Sequence, residues 1–371
     1  MKINSNRENL LKGIQRIQSG VSSRLGTIPI LQNFLMETED SGLKVVFTDL
    51  EMAVKHYINV DIKSDGSITV PIKKFAEILH VLNEEEEISV SVDDSNKVYI
   101  NSGKTKFKLI GSPKSEYPVI PDMDETNLFR IPAEILLDII LKTIFSAATE
   151  DDRHFLNGLL WIYEKNKLSI VATDGRRLAL ISNNEIKAKK DFKVIIPSKV
   201  LNEVGRFIEA MNSPKSEDVL IGISTNQIGF KTGKTMFISR LIEGNFPAYE
   251  QIVPKNRETS IEINTEKLLA TTKRAAICSN ERGGAVKYTF KKGVLIVSSS
   301  SQNMDFEDEL DIDFKGKDFQ VSFNPRFLID ILRNIGIPKV ALDFTVPSSP
   351  VVIRPPEKEN LLYIVMPLRT Q

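Results

Sequence analysis

Ile68-Thr69-Val70-Pro71-Ile72-Lys73-Lys74-Phe75-Ala76-Glu77-Ile78-Leu79 opens as an apolar strand, meets a proline and continues with apolar residues at helical spacing. Ile72, Phe75, Ala76, Leu79 and Leu82 fall on one helix face. Proline suits the start of a helix, because its φ is already helical and its missing N–H would have no partner there. The passage returns as Val194-Ile195-Ile196-Pro197 ahead of Val200, Leu201, Val204 and Ile208. It returns again as Val321-Ser322-Phe323-Asn324-Pro325 ahead of Leu328, Ile331, Leu332 and Ile335. Phe75, Leu201 and Leu328 correspond, at offsets of 126 and 127 residues.

Two further elements keep this step. Ile3-Asn4-Ser5-Asn6-Arg7-Glu8-Asn9-Leu10-Leu11 places a strand residue, a polar cap and an apolar pair in order, and the same order begins at Phe129 (with Leu136-Leu137) and at Ile261 (with Leu268-Leu269). Lys44-Val45-Val46-Phe47-Thr48-Asp49 matches Ser169-Ile170-Val171-Ala172-Thr173-Asp174, and Val294 to Ser299 holds the corresponding place in the last third. Agreement of three separate elements implies three homologous domains. The length of 371 residues fits, since it exceeds the size at which one hydrophobic core stops growing. Between the helices, Ile88 to Val92, Val98 to Ile100, Phe107 to Ile110 and Tyr288 to Val297 read as strands joined by hairpins, with Asp93 to Asn96 and Lys291 to Gly293 as turns. The expected class is α+β, each domain carrying about two helices packed on antiparallel sheets. The polar, proline-marked segments Pro121 to Asn127 and Pro254 to Thr259 are the expected linkers, giving domains 1–125, 126–255 and 256–371.

Lysine plus arginine number 49 and aspartate plus glutamate also 49, so the chain is not one that would hold nucleic acid by net charge. Any nucleic-acid role must rest on local charge segregation or on topology. The single cysteine, Cys278, excludes an intrachain disulfide and a cysteine-cluster metal site, as expected of a reducing cytoplasm. The opening Met1-Lys2-Ile3-Asn4-Ser5-Asn6-Arg7 is too polar for a signal peptide. The most apolar run, Ile135 to Phe145, carries Asp138 and Lys142 and is too short to span a bilayer.

Chemical motifs are few. Gly103-Lys104-Thr105 and Gly233-Lys234-Thr235 resemble the end of a phosphate-binding loop, but Val98 and Ile228 stand where that loop needs its first glycine. Lying 130 residues apart and each before a strand, they read as equivalent hairpin turns. His56, His80 and His154 share no metal-ligand spacing, and Asp93-Asp94 and Asp151-Asp152 lack the spaced oxygens of a calcium loop. The serines Ser298 to Ser301 lack a nucleophile elbow, and Cys278, after Ala275-Ala276-Ile277, reads as a packed small residue. No catalytic constellation, cofactor site or metal site is expected.

Val171-Ala172-Thr173-Asp174-Gly175-Arg176-Arg177-Leu178-Ala179 resembles a signature of the bacterial DNA polymerase III beta subunit, the sliding clamp. Leu241-Ile242-Glu243-Gly244-Asn245-Phe246-Pro247-Ala248-Tyr249, Phe155-Leu156-Asn157-Gly158, Tyr363-Ile364-Val365-Met366-Pro367-Leu368-Arg369 and Thr48-Asp49-Leu50-Glu51 extend the resemblance along the whole chain. It implies a non-enzymatic, cytoplasmic processivity factor. Two chains would close head to tail into a six-domain ring around double-stranded DNA, helices inside and sheets outside. Retention by linkage rather than by affinity removes the difficulty of zero net charge.

The resemblance also implies site residues. A cleft receiving the apolar side chains of partner peptides maps onto Leu156, Thr173, Gly175, Arg176, Arg177, Leu178, Pro247, Ile252, Ile364, Met366, Pro367, Leu368 and Arg369. Arg176 stands where histidine is common and Gln251 where a basic residue is common. The implied partners are the DNA polymerase III catalytic subunit, the clamp loader, and other clamp-binding polymerases and repair proteins. Arg24, His154 and Phe155 match DNA-touching loop positions, the last two where tyrosines are frequent. Lys73, Lys74, Lys199 and Arg206 recur on equivalent helices, a pattern that suits a weakly positive lumen. For the dimer contact, Phe107 and Leu109 match positions that pack near Ile277 and Cys278, and the acidic Glu307 and Asp308 are expected to face Lys73 or Lys74 of the second copy. Competing readings are a nucleotide- or phosphate-processing enzyme, prompted by the Gly-Lys-Thr tripeptides, and a clamp-like scaffold that never closes into a ring.

Overall fold

The computed structural model describes residues 1–18, 28–124, 127–211, 217–254, 257–279, 284–346 and 348–368. The first repeat runs β1 (Lys2–Ser5), α1 (Arg7–Gln18), β2 (Asn33–Glu39), β3 (Gly42–Thr48), β4 (Met52–Ile58), β5 (Asp61–Ser64), β6 (Ser67–Pro71), α2 (Ile72–Val81), β7 (Ile88–Val92), β8 (Lys97–Ser102) and β9 (Thr105–Ile110). The second runs β10 (Leu128–Pro132), α3 (Ala133–Thr143), β11 (Gly158–Glu164), β12 (Lys167–Thr173), β13 (Arg177–Asn183), β14 (Phe192–Pro197), α4 (Ser198–Glu209), β15 (Asp218–Ile223), β16 (Gln227–Thr232) and β17 (Thr235–Arg240). The third runs β18 (Thr259–Asn264), α5 (Thr265–Cys278), β19 (Val286–Lys291), β20 (Val294–Ser300), β21 (Asp305–Asp311), β22 (Phe319–Phe323), α6 (Pro325–Asn334), β23 (Lys339–Phe344), β24 (Val351–Arg354) and β25 (Leu361–Val365).

The expected elements form. The three proline-marked helices are α2, α4 and α6, and the Gly-Lys-Thr tripeptides join β8 to β9 and β16 to β17 as hairpins. The starts of α1 and α5 are capped by asparagine: Asn9 N donates to Asn6 Oδ1 (2.8 Å) and Lys267 N to Asn264 Oδ1 (3.0 Å), satisfying backbone donors left open by the first turn. Each helix buries its apolar face, as with Leu10, Ile14 and Ile17 on α1 and Leu328, Ile331 and Leu332 on α6. No helix among the described residues is long and apolar enough to cross a membrane.

The chain divides into two compact units, Met1–Leu136 with Lys199–Leu241, and Leu137–Ser198 with Ile242–Gln371. The first holds a five-stranded sheet (β5-β1-β7-β8-β9) and an eight-stranded sheet (β10-β15-β16-β17-β4-β3-β2-β6). The second holds an eight-stranded sheet (β14-β11-β12-β13-β25-β24-β23-β18) and a four-stranded one (β21-β20-β19-β22). In each eight-stranded sheet, strands from successive repeats pair antiparallel at the middle, β4 with β17 and β13 with β25. The repeat boundary is therefore a backbone ladder inside a sheet.

Part of the expected linker Pro121 to Asn127 is packed rather than free. Met123 is buried against Gly222 and Gly229, where a side chain on either glycine would collide with it (2.8 Å and 2.5 Å to its Cγ). Lys55, on β4, donates to the Pro121 carbonyl (3.0 Å) and to Asp122 (2.6 Å). A buried lysine needs such partners, so the segment is fixed by satisfying one.

Candidate partner-binding pocket

β12 ends at Thr173, and the chain must reverse before β13 begins at Arg177. Thr173 Oγ1 accepts from Gly175 N (3.0 Å) and donates to the Arg177 carbonyl (2.6 Å). Asp174 Oδ1 accepts from both Arg176 N and Arg177 N (2.9 Å each). Short polar side chains that bond their own backbone two residues on are what tight turns require. Gly175 takes φ +84°, a conformation that costs any residue with a Cβ.

Beyond the turn the register sets Leu178 opposite Ile364 and Arg177 opposite Val365, and Met366 N donates to the Arg176 carbonyl (3.0 Å). Leu178 and Ile364 join a buried cluster with Leu160, Val171, Ile195, Tyr249, Val352 and Leu362, against which Phe155, Phe246 and Val253 pack. Tyr249 begins a short 3-10 turn over this cluster, and burial pushes its phenol up to about 12. Around this floor Ile252, Met366 and Leu368 each leave more than a third of their surface in solvent, and Pro247 and Pro367 are half-buried. The result is an apolar floor with a partly exposed aliphatic and thioether rim, a surface suited to taking apolar side chains from a ligand.

Arg177 faces inward. Its Nε donates to Asp174 Oδ2 (3.0 Å) and its Nη1 to Asp330 Oδ2 on α6 (2.6 Å). Its guanidinium lies over Phe327 (4.8 Å) and Phe145 (5.5 Å). Arg176, by contrast, is exposed and makes no ion pair among the described residues. Beside the turn Arg153 grips Asp151 with two nitrogens and holds that carboxyl down at about 2.

The structure thus brings Thr173, Gly175, Arg176, Arg177, Leu178, Ile364, Met366 and Leu368 to the two strand ends, with Ile252 following the Tyr249 turn. Leu156 is wholly buried and its carbonyl accepts from Ala148 N (2.9 Å), so it presents no surface to a ligand. Arg369 lies outside the described residues. Sequence reasoning missed Tyr249 as a floor residue and Phe145, Phe327 and Asp330 as the surroundings of Arg177. Asp330 is 153 residues from Arg177, beyond any local pattern.

Families described as the N-terminal, central and C-terminal domains of the DNA polymerase III beta subunit match residues 1–121, 130–248 and 250–369. The chain belongs to the DNA polymerase III beta subunit family. It has three clamp domains. Beta sliding clamps of Haemophilus influenzae and Escherichia coli K12 are 33% and 32% identical to it, each over the full length of both chains. Among solved structures, a DNA polymerase sliding clamp from Bacillus subtilis superposes with TM-score 0.94 at 29% identity, covering all of both chains. One from Pseudomonas aeruginosa bound to griselimycin does so with TM-score 0.92 at 29% identity, again over all of both. The enzyme reading falls with this membership, since sliding clamps are processivity factors.

The remaining beta-subunit positions separate by charge. Lys73 and Lys74 are exposed on α2, Lys74 paired with Glu77 (2.9 Å). On α4, Lys199 binds Asp49 and Arg206 binds Glu203 (2.9 Å), so both carry their own counter-charge. His154 and Phe155 lie on a 3-10 turn, His154 exposed and Phe155 against Gly244. Arg24 is outside the described residues. At the expected dimer contact Ile277 is 74% exposed while Cys278 is buried in its own domain. Asp308 is likewise engaged at home: Arg274 and Thr271 bind it, and the Arg274 guanidinium holds its carboxyl below the usual range.

Proposed function

We propose that two copies of this chain close head to tail into a ring around duplex DNA and tether the DNA polymerase III catalytic subunit, other polymerases, repair proteins and the clamp loader through the pocket at Leu178, Ile364 and Met366. In this reading the domains are 1–125, 126–255 and 256–371.

The observation that carries ring closure is a pair of complementary sheet edges. β9 ends the five-stranded sheet, with Lys106, Lys108 and Ile110 exposed on one face and Phe107 and Leu109 half-buried on the other. β21 ends the four-stranded sheet, with Asp305, Glu307, Glu309 and Asp311 exposed and Phe306 and Leu310 half-buried. An open edge presents unpaired backbone groups, and two such strands satisfy each other by forming one more ladder. Aligned face to face, the pair sets lysines against carboxylates on one side and apolar residues together on the other. The cations that face Glu307 are then Lys106 and Lys108, in place of Lys73 and Lys74. Because the two edges differ, the contact is heterologous and has a direction, and ring closure consumes both.

Inside the ring, duplex DNA meets exposed Lys73 together with basic groups already neutralised by neighbours, an arrangement that retains DNA without gripping it. Sedimentation equilibrium at micromolar concentration is expected to give a mass near 83.4 kDa, twice 41.7 kDa, and loaded protein is expected to stay on circular DNA and leave on linearisation. A 41.7 kDa species that never stays on circles would replace this reading with the unclosed scaffold.

A further inference from the structure

We propose that Asp330 is a positioning residue for the peptide pocket, acting through Arg177; the proposal rests on the reading that the pocket binds partner peptides. The turn from Thr173 to Arg177 is shaped by its own hydrogen bonds, and those bonds do not attach it to α6. Arg177 makes that attachment. Its guanidinium gives N–H groups to Asp174 (3.0 Å) and Asp330 (2.6 Å) and lies over the rings of Phe145 (5.5 Å) and Phe327 (4.8 Å). A planar fork held at two different nitrogens by two carboxylates and packed against two rings has one orientation available.

That orientation is passed to the pocket through the backbone. Arg177 N bonds Asp174 Oδ1 (2.9 Å), the Arg177 carbonyl accepts from Thr173 Oγ1 (2.6 Å), and the Arg176 carbonyl accepts from Met366 N (3.0 Å). Leu178 follows directly on β13. The guanidinium therefore ties both strand ends that carry the pocket to α6, and its hydrogen-bonding anchor on that helix is Asp330, with the Phe327 ring packed beside it. The helix itself does not depend on this contact. Leu328, Ile331 and Leu332 are buried, and Asn324 caps the first turn by accepting from Arg326 N (3.0 Å). Arg177 spends its charge internally, so the cation presented to a ligand at this turn is Arg176.

The test is fluorescence anisotropy of a fluorescein-labelled decapeptide carrying a Leu-Phe pair, titrated with the full-length protein. Asp330→Asn is expected to weaken binding about tenfold, the usual size of coupling between linked sites, and Asp330→Glu to recover most of it. The readout that separates positioning from plain stability is a double-mutant cycle with Arg177→Met. Once Arg177 is gone, Asp330→Asn should cost no further affinity. Asn334→Ala removes a different α6 hydrogen bond, to the Asp330 carbonyl (2.8 Å), and should leave affinity unchanged. If Asp330→Asn does not fold, Arg177→Lys keeps the charge but loses the fork, and is expected to lower affinity at a temperature where circular dichroism shows the variant still folded. Equal affinity for wild type and Asp330→Asn, or additive losses in the cycle, overturns the positioning role alone. A wild-type protein that binds no such peptide overturns the pocket reading beneath it.

Discussion

The chain makes the same turn twice. At Thr48–Met52, Thr48 Oγ1 accepts from Leu50 N (3.0 Å) and donates to the Met52 carbonyl (2.8 Å), and Asp49 Oδ1 accepts from Glu51 N (3.1 Å) and Met52 N (2.9 Å). Arg240 N then donates to the Glu51 carbonyl (3.1 Å), as Met366 N does to Arg176. This is the Thr173–Arg177 turn bond for bond, down to a left-handed third residue, Leu50 at φ +77°. The side chains part company. Ala53 pairs with Ile238 and is followed across the ladder by exposed Arg240, where the later copy has Leu178, Ile364 and Met366. Met52 replaces Arg177, so the earlier turn has no guanidinium clamp, and its Asp49 is met by Lys199 of α4. Backbone hydrogen bonding preserves a shape, and the side chains hung on it decide whether that shape binds anything.

Removing the clamp should separate the two copies most. Arg177→Met leaves two carboxylates without their cation and removes a guanidinium packed over two rings, at a cost of about 4 kcal/mol in chemical denaturation, whereas the volume-conserving Met52→Leu should cost under about 1.5 kcal/mol. A loss below about 1 kcal/mol would show that the clamp adds little to this turn.

Acid should act on the earlier junction and spare the later one. Burial, with Arg16 and Lys234 nearby, lowers buried His56 to about 4, while the matching position of the later ladder is Ile181 opposite Leu361. His56 bonds Thr235 Oγ1 (2.9 Å) across the β4–β17 pairing. Between about 4 and 6.5 the unfolded chain holds the extra proton, so stability is complete above 6.5 and is lost as pH falls toward 4. The loss is about 2–3 kcal/mol, and a pH series of melting curves should show it reduced in His56→Gln. An identical acid slope in that variant would place the sensitivity elsewhere.

Lys199→Met leaves the mostly buried Asp49 carboxylate without its cation and should cost about 1–2 kcal/mol by the same denaturation assay. An unchanged midpoint would mean solvent already serves Asp49. Smallest is the left-handed residue itself. Leu50→Gly should stabilise and Gly175→Ala destabilise, each by about 1 kcal/mol. The space at Gly175 is open, its nearest neighbour being Arg153 at 3.5 Å, so conformation alone sets that cost. Matching signs in the two variants would break the equivalence of the turns.

What the sequence made legible follows from periodicity and local chemistry. Ile3, Phe129 and Ile261 lie on equivalent strands, and Pro71, Pro197 and Pro325 mark equivalent helix starts, because core faces and helix starts are written in neighbouring residues. The turn at Thr173 was readable for the same reason. Asp330 and Phe327 were not, since they meet Arg177 only after more than a hundred intervening residues have folded. Nor does a leucine announce a left-handed φ, as Leu50 adopts, or a polar segment announce that Met123 will lie buried on two glycines. At the dimer contact the sequence offered acidic and basic runs. Strand order reveals that Lys106 and Lys108 line an open edge, and the ion pair with Arg274 that Asp308 is already taken.

The ladders through the repeat boundaries have a mechanical meaning. Residues 52–56 pair with 235–239, and 177–181 with 361–365, each ladder flanked on both sides by further strands. A force pulling one repeat away from the next along the hydrogen bonds is shared among five residue pairs. Each boundary is thus built less like a hinge than like the middle of a leaf spring, one continuous sheet across the join.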